Sequence, residues 1–207
     1  MLTLIAATRN KGKLAEFRRI LEHLSADVVS QFDRCPELEV EETGTTFAEN
    51  AYLKAAAICE ATGEIAFADD SGLCIDALDG EPGVYTARYG QELLGENATD
   101  DDRMDLVLRK LGNLPYEKRT ARFVSAISCV FPDGRRIDCE GVCEGFIGFE
   151  KRGDKGFGYD PIFYVGEEKT ALSFAEMSAE QKDGLSHRGK AMALFEQKLT
   201  KMINKEL

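Results

Sequence analysis

The chain has 207 residues, enough for one large domain or for two lobes sharing a core. Its 37 acidic and 26 basic residues leave a formal charge of −11, which argues against non-specific nucleic-acid binding, an activity that rests on a basic surface. Any anionic ligand must therefore be met by a local cluster of Lys and Arg inside a repelling field.

The first residues, Met1 to Ala7, are apolar but too short for a secretory signal and lack its basic flank. No apolar run approaches a membrane span. Six scattered cysteines (Cys35, Cys59, Cys74, Cys129, Cys139 and Cys143) read as reduced core thiols of a cytoplasmic protein. Cys139 and Cys143 lack the nearby His or second Cys pair that a zinc site needs.

Leu2 to Ala7 reads as a buried first strand, and Leu14, Phe17, Ile20, Leu21 and Leu24 recur at helical spacing from about Lys11 to Leu24. Between them, Thr8, Arg9, Asn10, Lys11, Gly12 and Lys13 form a polar strand-to-helix loop. Its amides would open toward the helix N-terminus, where free N–H groups and the dipole favour a phosphate. It is not a Walker A loop, because Leu follows Gly12-Lys13, and taken alone it also reads as a solvated helix cap.

Val28 to Phe32 is expected to be a second strand. The acidic run Glu37 to Glu42 precedes Thr46-Phe47-Ala48-Glu49, a capping box that starts a helix running to about Gly63. On that helix Phe47, Ala51, Ala55 and Ile58 face inward, and Asn50 and Lys54 share another face. Next comes Ala66 to Leu73, an apolar strand that meets two carboxylates, a hydroxyl and a glycine at Asp69-Asp70-Ser71-Gly72. Neighbours on a strand point to opposite faces, so one carboxylate is expected at a reactive centre while the other supports the loop. Gly72 is expected to allow a turn there. A strand end capped by turn-formers would look the same.

Asp79 to Gly83 reads as a turn-rich loop, followed by Val84 to Tyr89 with Arg88. Thr99 to Leu111 reads as a capped helix with Met104, Leu108 and Leu111 inward. Ala121 to Phe131 alternates as a strand. The turn Pro132-Asp133-Gly134 leads into Arg135 to Phe149, a long β-hairpin whose glycines permit bulges. In Gly153 to Pro161, three glycines allow backbone to approach a flat ligand, Phe157 and Tyr159 offer aromatic faces and Asp160 an acceptor. A glycine-rich turn before the strand Ile162 to Val165 is the plain alternative. Lys182 precedes Ser186-His187-Arg188-Gly189, which opens a last helix with Leu194, Phe195, Leu199, Met202 and Ile203 inward.

Together and in this order, the segments Thr8 to Lys13, Glu41 to Gly44, Thr46 to Asn50, Ala68 to Leu73, Gly80 to Gly83, Thr86 to Arg88, Gly156 to Pro161 and Ser186 to Gly189 resemble the inosine/xanthosine triphosphate pyrophosphatases. The resemblance spans nearly the whole chain. It implies an α/β fold with a long mixed central β-sheet flanked by helices, a single domain over residues 1–207 with two lobes and an active-site cleft between them, and a cytoplasmic homodimer. It further implies Mg²⁺-dependent hydrolysis of ITP, dITP and XTP to the monophosphate and pyrophosphate, with no nucleic-acid or membrane partner. Matched motif by motif, Thr8, Arg9, Asn10, Lys11, Gly12 and Lys13 would bind the triphosphate, with Lys54 countering its charge. Glu42 and Asp70 would hold the metal, Asp70 would also accept the proton of the attacking water, and Ser71 would contact substrate. Phe157, Gly158, Tyr159, Asp160, Lys182, His187 and Arg188 would hold the nucleoside end. Arg9 stands where many relatives carry a small residue, and its role is open. Two rival readings stay in view: a pyrophosphatase for other modified nucleotides, and a nucleotide sensor without turnover.

Overall fold

The computed structural model describes residues 2–22 and 26–203. Leu24, expected to close the first helix, lies outside the described residues. The strands are β1 (Leu2–Ala6), β2 (Ala26–Ser30), β3 (Ala66–Ile75), β4 (Thr120–Val130), β5 (Arg136–Ile147), β6 (Phe163–Val165) and β7 (Leu172–Ser173). They make one seven-stranded sheet in the order β2-β1-β3-β4-β5-β6-β7. β1 runs parallel to β2 and β3, whereas β5, β6 and β7 pair antiparallel, so the sheet is mixed. The helices are α1 (Lys11–Ile20), α2 (Phe47–Thr62), α3 (Gln91–Leu94), α4 (Asp100–Leu111), α5 (Ala179–Leu185) and α6 (His187–Ile203).

The helix boundaries follow from caps written into the chain. Thr46 accepts the Glu49 N–H while Glu49 accepts the Thr46 N–H, and Gly63 closes α2 with φ of 67° in the left-handed region. Thr99 and Asp102 make the same reciprocal pair at α4, and Ser178 and Gln181 do so at α5. In α1 the Asn10 side chain accepts from the Lys13 N–H.

The chain divides into two compact units. The first comprises residues 1–71, 125–141 and 187–207, the second residues 72–124 and 142–186. The core of the first joins Leu4, Phe17, Phe67, Ile127, Met192 and Phe195, with Phe67 stacked on Phe195 at 5.6 Å. The core of the second gathers Leu73, Val107, Phe123, Ile162, Phe163 and Phe174, and Phe123 stacks on Phe174. All six cysteines are free thiols; four are buried, and Cys35 and Cys74 are half-buried.

Several expectations are corrected. β3 does not stop at its carboxylates: it continues through Gly72, because Leu73 and Ile75 beyond them are fully buried apolar residues that keep the strand in the core. β2 ends at Ser30, whose hydroxyl accepts the Phe32 N–H and starts a 3₁₀ turn, so Phe32 is exposed instead of ending a strand. Gly83–Arg88, for which no element was expected, forms a 3₁₀ turn. In α6 the buried stripe is Ala191, Met192, Phe195 and Leu199, which leaves Leu194 outside it and exposed. The hairpin is formed by β4 and β5 as sheet neighbours about the Pro132–Gly134 turn, Arg136–Ile147 being one unbroken strand.

In β5, Gly141 makes room for a neighbouring helix. A Cβ on Gly141 would lie 2.2 Å from the His187 carbonyl oxygen and 2.5 Å from the Ala191 nitrogen, both backbone atoms of α6. Backbone cannot give way like a side-chain tip. Gly141→Ala is therefore expected to lower stability by about 1–3 kcal/mol, the usual cost of overpacking. Because the strained contact is one residue from Arg188, turnover should fall with it. Equilibrium unfolding in urea with an unchanged m-value checks the first point; a wild-type midpoint would show that α6 is free to shift.

Candidate active site

Among the sequence-expected residues of the first unit, Lys13, Lys54, Ser71 and Arg188 converge on the two aspartates of β3. Asp69 and Asp70 are both buried and, as alternation on a strand requires, their carboxylates meet different partners. The Asp69 carboxylate accepts from Lys13 Nζ at 2.8 Å, from Ser71 Oγ at 3.1 Å and from Ser125 Oγ on β4, and it pairs with the Arg188 guanidinium at 3.4 Å. Asp70 accepts from Lys54 Nζ at 3.1 Å and from Asn50 Nδ2 at 3.3 Å, so the shared face of α2 read from the sequence is the face that addresses Asp70. Lys54 also donates to Glu42 Oε1 at 2.6 Å and to the Asp69 carbonyl at 3.2 Å.

These surroundings push the two neighbours in opposite directions. Burial alone would raise Asp69, but Lys13 and Arg188 outweigh it and hold the carboxylate far below its ordinary range. For Asp70 burial wins over the attraction of Lys54 and raises its pKa. Lys54 itself is raised, because Asp70 and Glu42 together overcome the burial that would lower it.

The loop after β1 is built around α1. Asn10 caps the helix and Thr8 Oγ accepts the Asn10 N–H. Lys11 and Gly12 occupy the first turn, where helix N–H groups have no intrahelical acceptor. Lys11 is exposed and Lys13 half-buried. Arg9 turns elsewhere: its guanidinium pairs with Glu39 and lies 5.6 Å over the Phe32 ring. Arg188, buried at the start of α6, donates to Glu16 at 2.5 Å and to Ser71 Oγ at 2.9 Å; His187 beside it is buried as well.

In the second unit, Asp160 Oδ2 accepts from Lys182 Nζ at 2.7 Å and from the Phe157 N–H at 2.9 Å, both carboxylate and ammonium being buried. The Lys182 ammonium lies 4.8 Å from the Phe157 ring centroid. Gly156 must be glycine: its φ is 77°, and a Cβ there would sit 2.0 Å from Asp160 Oδ2. Gly158 donates its N–H to Asp100. Tyr159 does not offer an open ring face. It is buried in the core, with its hydroxyl donating to the Thr86 carbonyl.

Sequence reading did not single out Glu16 or Ser125, the first an ordinary amphipathic-helix position and the second one of several small residues on an alternating strand. Thr86 and Glu81, quoted within motifs, fasten loops: Thr86 Oγ1 accepts the Leu73 N–H, and Glu81 binds Tyr89 and Lys110.

Glu42 and Asp70 converge on a single cationic point, the Lys54 ammonium. Among the described residues no group of three or more His, Cys, Asp and Glu side chains surrounds a common metal position. A pair of carboxylates nevertheless suits Mg²⁺, a hard cation that takes one or two of them and keeps waters or phosphate oxygens for the rest.

Fold and cluster define an α/β protein whose mixed sheet carries an ammonium–carboxylate network beside a polar strand-to-helix loop. The chain belongs to the Ham1 family, whose model matches residues 4–198. It is 46% identical to a dITP/XTP pyrophosphatase of Bacillus cereus over 201 residues, 96% of this chain and 95% of that protein. A dITP/XTP pyrophosphatase of Geobacter sulfurreducens is 47% identical, covering 96% of this chain and 97% of its own. Among solved structures, a Ham1 protein from Coxiella burnetii matches with a TM-score of 0.85 at 40% identity, covering 97% of this chain and all of that one. The Staphylococcus aureus Ham1 protein matches with a TM-score of 0.84 at 41% identity, over 97% and 99% of the two chains. The resemblance read from the motifs is thereby borne out.

Proposed function

We propose that this chain is a hydrolase that cleaves non-standard purine nucleoside triphosphates (XTP, ITP and dITP) to the monophosphate and pyrophosphate. The observation that carries the reading is the convergence of Lys13, Lys54 and Arg188 with Glu42, Asp69 and Asp70 in an otherwise acidic protein. The names of the relatives supply the substrate class. Among the described residues no helix is long and apolar enough to cross a membrane. A cytoplasmic homodimer is part of the proposal.

In this reading Thr8, Asn10, Lys11, Gly12 and Lys13 take the triphosphate through side chains and first-turn amides. Phosphoryl transfer asks mainly for positioning and charge neutralisation, which fits a site made of fixed cations. Glu42 and Asp70 would hold Mg²⁺, which when bound neutralises phosphate charge and makes a coordinated water more acidic. Asp70 accepts the proton of the attacking water, and its burial makes the ionised carboxylate a better acceptor than an exposed one. Ser71 contacts substrate, and Lys54 keeps Glu42 and Asp70 facing one point. Arg9, engaged with Glu39, is the weakest member of the phosphate set.

The nucleoside end is assigned to Phe157, Gly158, Tyr159, Asp160, Lys182, His187 and Arg188. Hypoxanthine and xanthine present a 6-keto acceptor and an N1–H donor, the reverse of adenine, so donors aimed at O6 discriminate between them. Ring stacking ignores those edges. Phe157→Ala is therefore expected to lower kcat/KM for ITP and ATP alike, by roughly 1–3 kcal/mol of binding. Arg188→Ala should shrink the ratio between the two substrates. If steady-state kinetics show that ratio untouched, edge reading belongs to other groups.

The test of the function is pyrophosphate release from a panel of purine and pyrimidine triphosphates, with and without Mg²⁺. Preference for XTP and dITP supports the proposal. Binding without release would favour a sensor, and preference for modified pyrimidines the other rival.

A further inference from the structure

We propose that Asp69 is a positioning residue that sets the geometry of the site's cations Lys13, Lys54 and Arg188, through its carboxylate on one side and its main-chain carbonyl on the other. This rests on the pyrophosphatase reading above. The carboxylate, fully buried, collects Lys13, Ser71, Ser125 and Arg188. The carbonyl oxygen of the same residue accepts from Lys13 Nζ at 3.4 Å and from Lys54 Nζ at 3.2 Å. One strand position therefore holds cations that arrive from α1, from α2 and from α6.

The arrangement has a physical rationale. An ammonium has three N–H donors on a flexible stem and takes whatever orientation its partners dictate. Lys13 spends donors on the Asp69 carboxylate and carbonyl, which leaves its remaining capacity directed by a rigid central strand instead of by solvent. Ser125, on the neighbouring strand β4 and also fully buried, fixes the carboxylate in turn. Among the described residues the Asp69 carboxylate is enclosed by Lys13, Ser71, Ser125 and Arg188, and its effect on turnover is assigned to the groups it holds. Its neighbour Asp70 is assigned the proton; Asp69 is assigned the placement.

Asp69→Asn keeps the shape and removes the charge, and its kcat is read per folded molecule. Misplacement of reacting groups by about 1 Å costs on the order of 100-fold in rate, so kcat for dITP is expected to fall by about that factor. KM should stay level or drop, since removing an anion beside Lys13 and Arg188 strengthens the field felt by the phosphates. A kcat within threefold of wild type overturns the proposal, as does a fall in kcat no larger than the loss of folded protein measured by circular dichroism. Ser125→Ala, a gentler change, should lower kcat roughly tenfold per folded molecule, the equivalent of one hydrogen bond, with the melting temperature lowered by only several degrees. No loss there would overturn the carboxylate's role. In the Lys13→Met background, adding Asp69→Asn should cost less than it costs the wild type; a full multiplicative loss would show that Asp69 does not act through Lys13. A wild-type protein that fails to hydrolyse dITP would instead refute the pyrophosphatase reading, which keeps the two failures apart.

Discussion

Asp70→Asn protein is expected to fold, to bind dITP and to release pyrophosphate roughly 10³–10⁴-fold more slowly than the wild type, near the upper range for loss of a general base. The substitution removes one of the carboxylates facing Lys54 and, with it, the proposed proton acceptor. The fold should tolerate it well. Burial raises the Asp70 pKa, so ionising this carboxylate costs the folded state part of its stability. Asparagine keeps the volume, and Lys54 keeps Glu42 as its counter-charge. A melting temperature within a few degrees of wild type, together with single-turnover kinetics at saturating nucleotide, checks both halves. Turnover within tenfold of wild type would end the assignment of Asp70 as base.

Asp160→Ala is the substitution expected to cost most in stability. The Asp160–Lys182 pair is buried on both sides, and deleting one member leaves an uncompensated charge in the interior at about 3–5 kcal/mol. The Phe157 N–H loses its acceptor in the same step, so the aromatic ring above Lys182 loses its anchor. The paired change Asp160→Ala with Lys182→Met removes the stranded ammonium and should recover a large part of that loss. Urea unfolding of both variants decides the matter. Equal destabilisation of the single and double variants would show that the cost lies in the cavity and not in the charge.

The parts of this protein legible from its residues are those whose partners lie close along the chain. Thr46 and Glu49 are three positions apart, and the helix they begin was readable to within a residue at both ends. Asn50 and Lys54 were placed on one face by helical periodicity alone, and that face meets Asp70. Where burial ran against a local signal, the reading slipped: Asp69-Asp70-Ser71-Gly72 has turn chemistry, yet apolar Leu73 and Ile75 draw the strand on. What packs above a strand is likewise hidden from the sequence: at Gly141 the neighbour is α6 backbone.

The kind of protein was likewise present in the order of the motifs, since phosphate loops, paired carboxylates and glycine-rich turns are short and keep their identity wherever they fold. The division of labour among their members was not. Arg188, grouped by its motif with the nucleoside end, donates to Glu16, 172 positions away, and to Ser71, 117 positions away. Asp69 and Asp70 are adjacent, and alternation says that they part; which one is wrapped in cations and which is left to burial depends on α1, α2, β4 and α6 being packed around β3. Residue types and their local spacing determined the caps and most of the elements, and the motifs carried the resemblance to the family. Only the tertiary packing decided the charge state and partner of each buried group, because the field at a buried carboxylate is summed over neighbours in space, and the chain order does not say who they are.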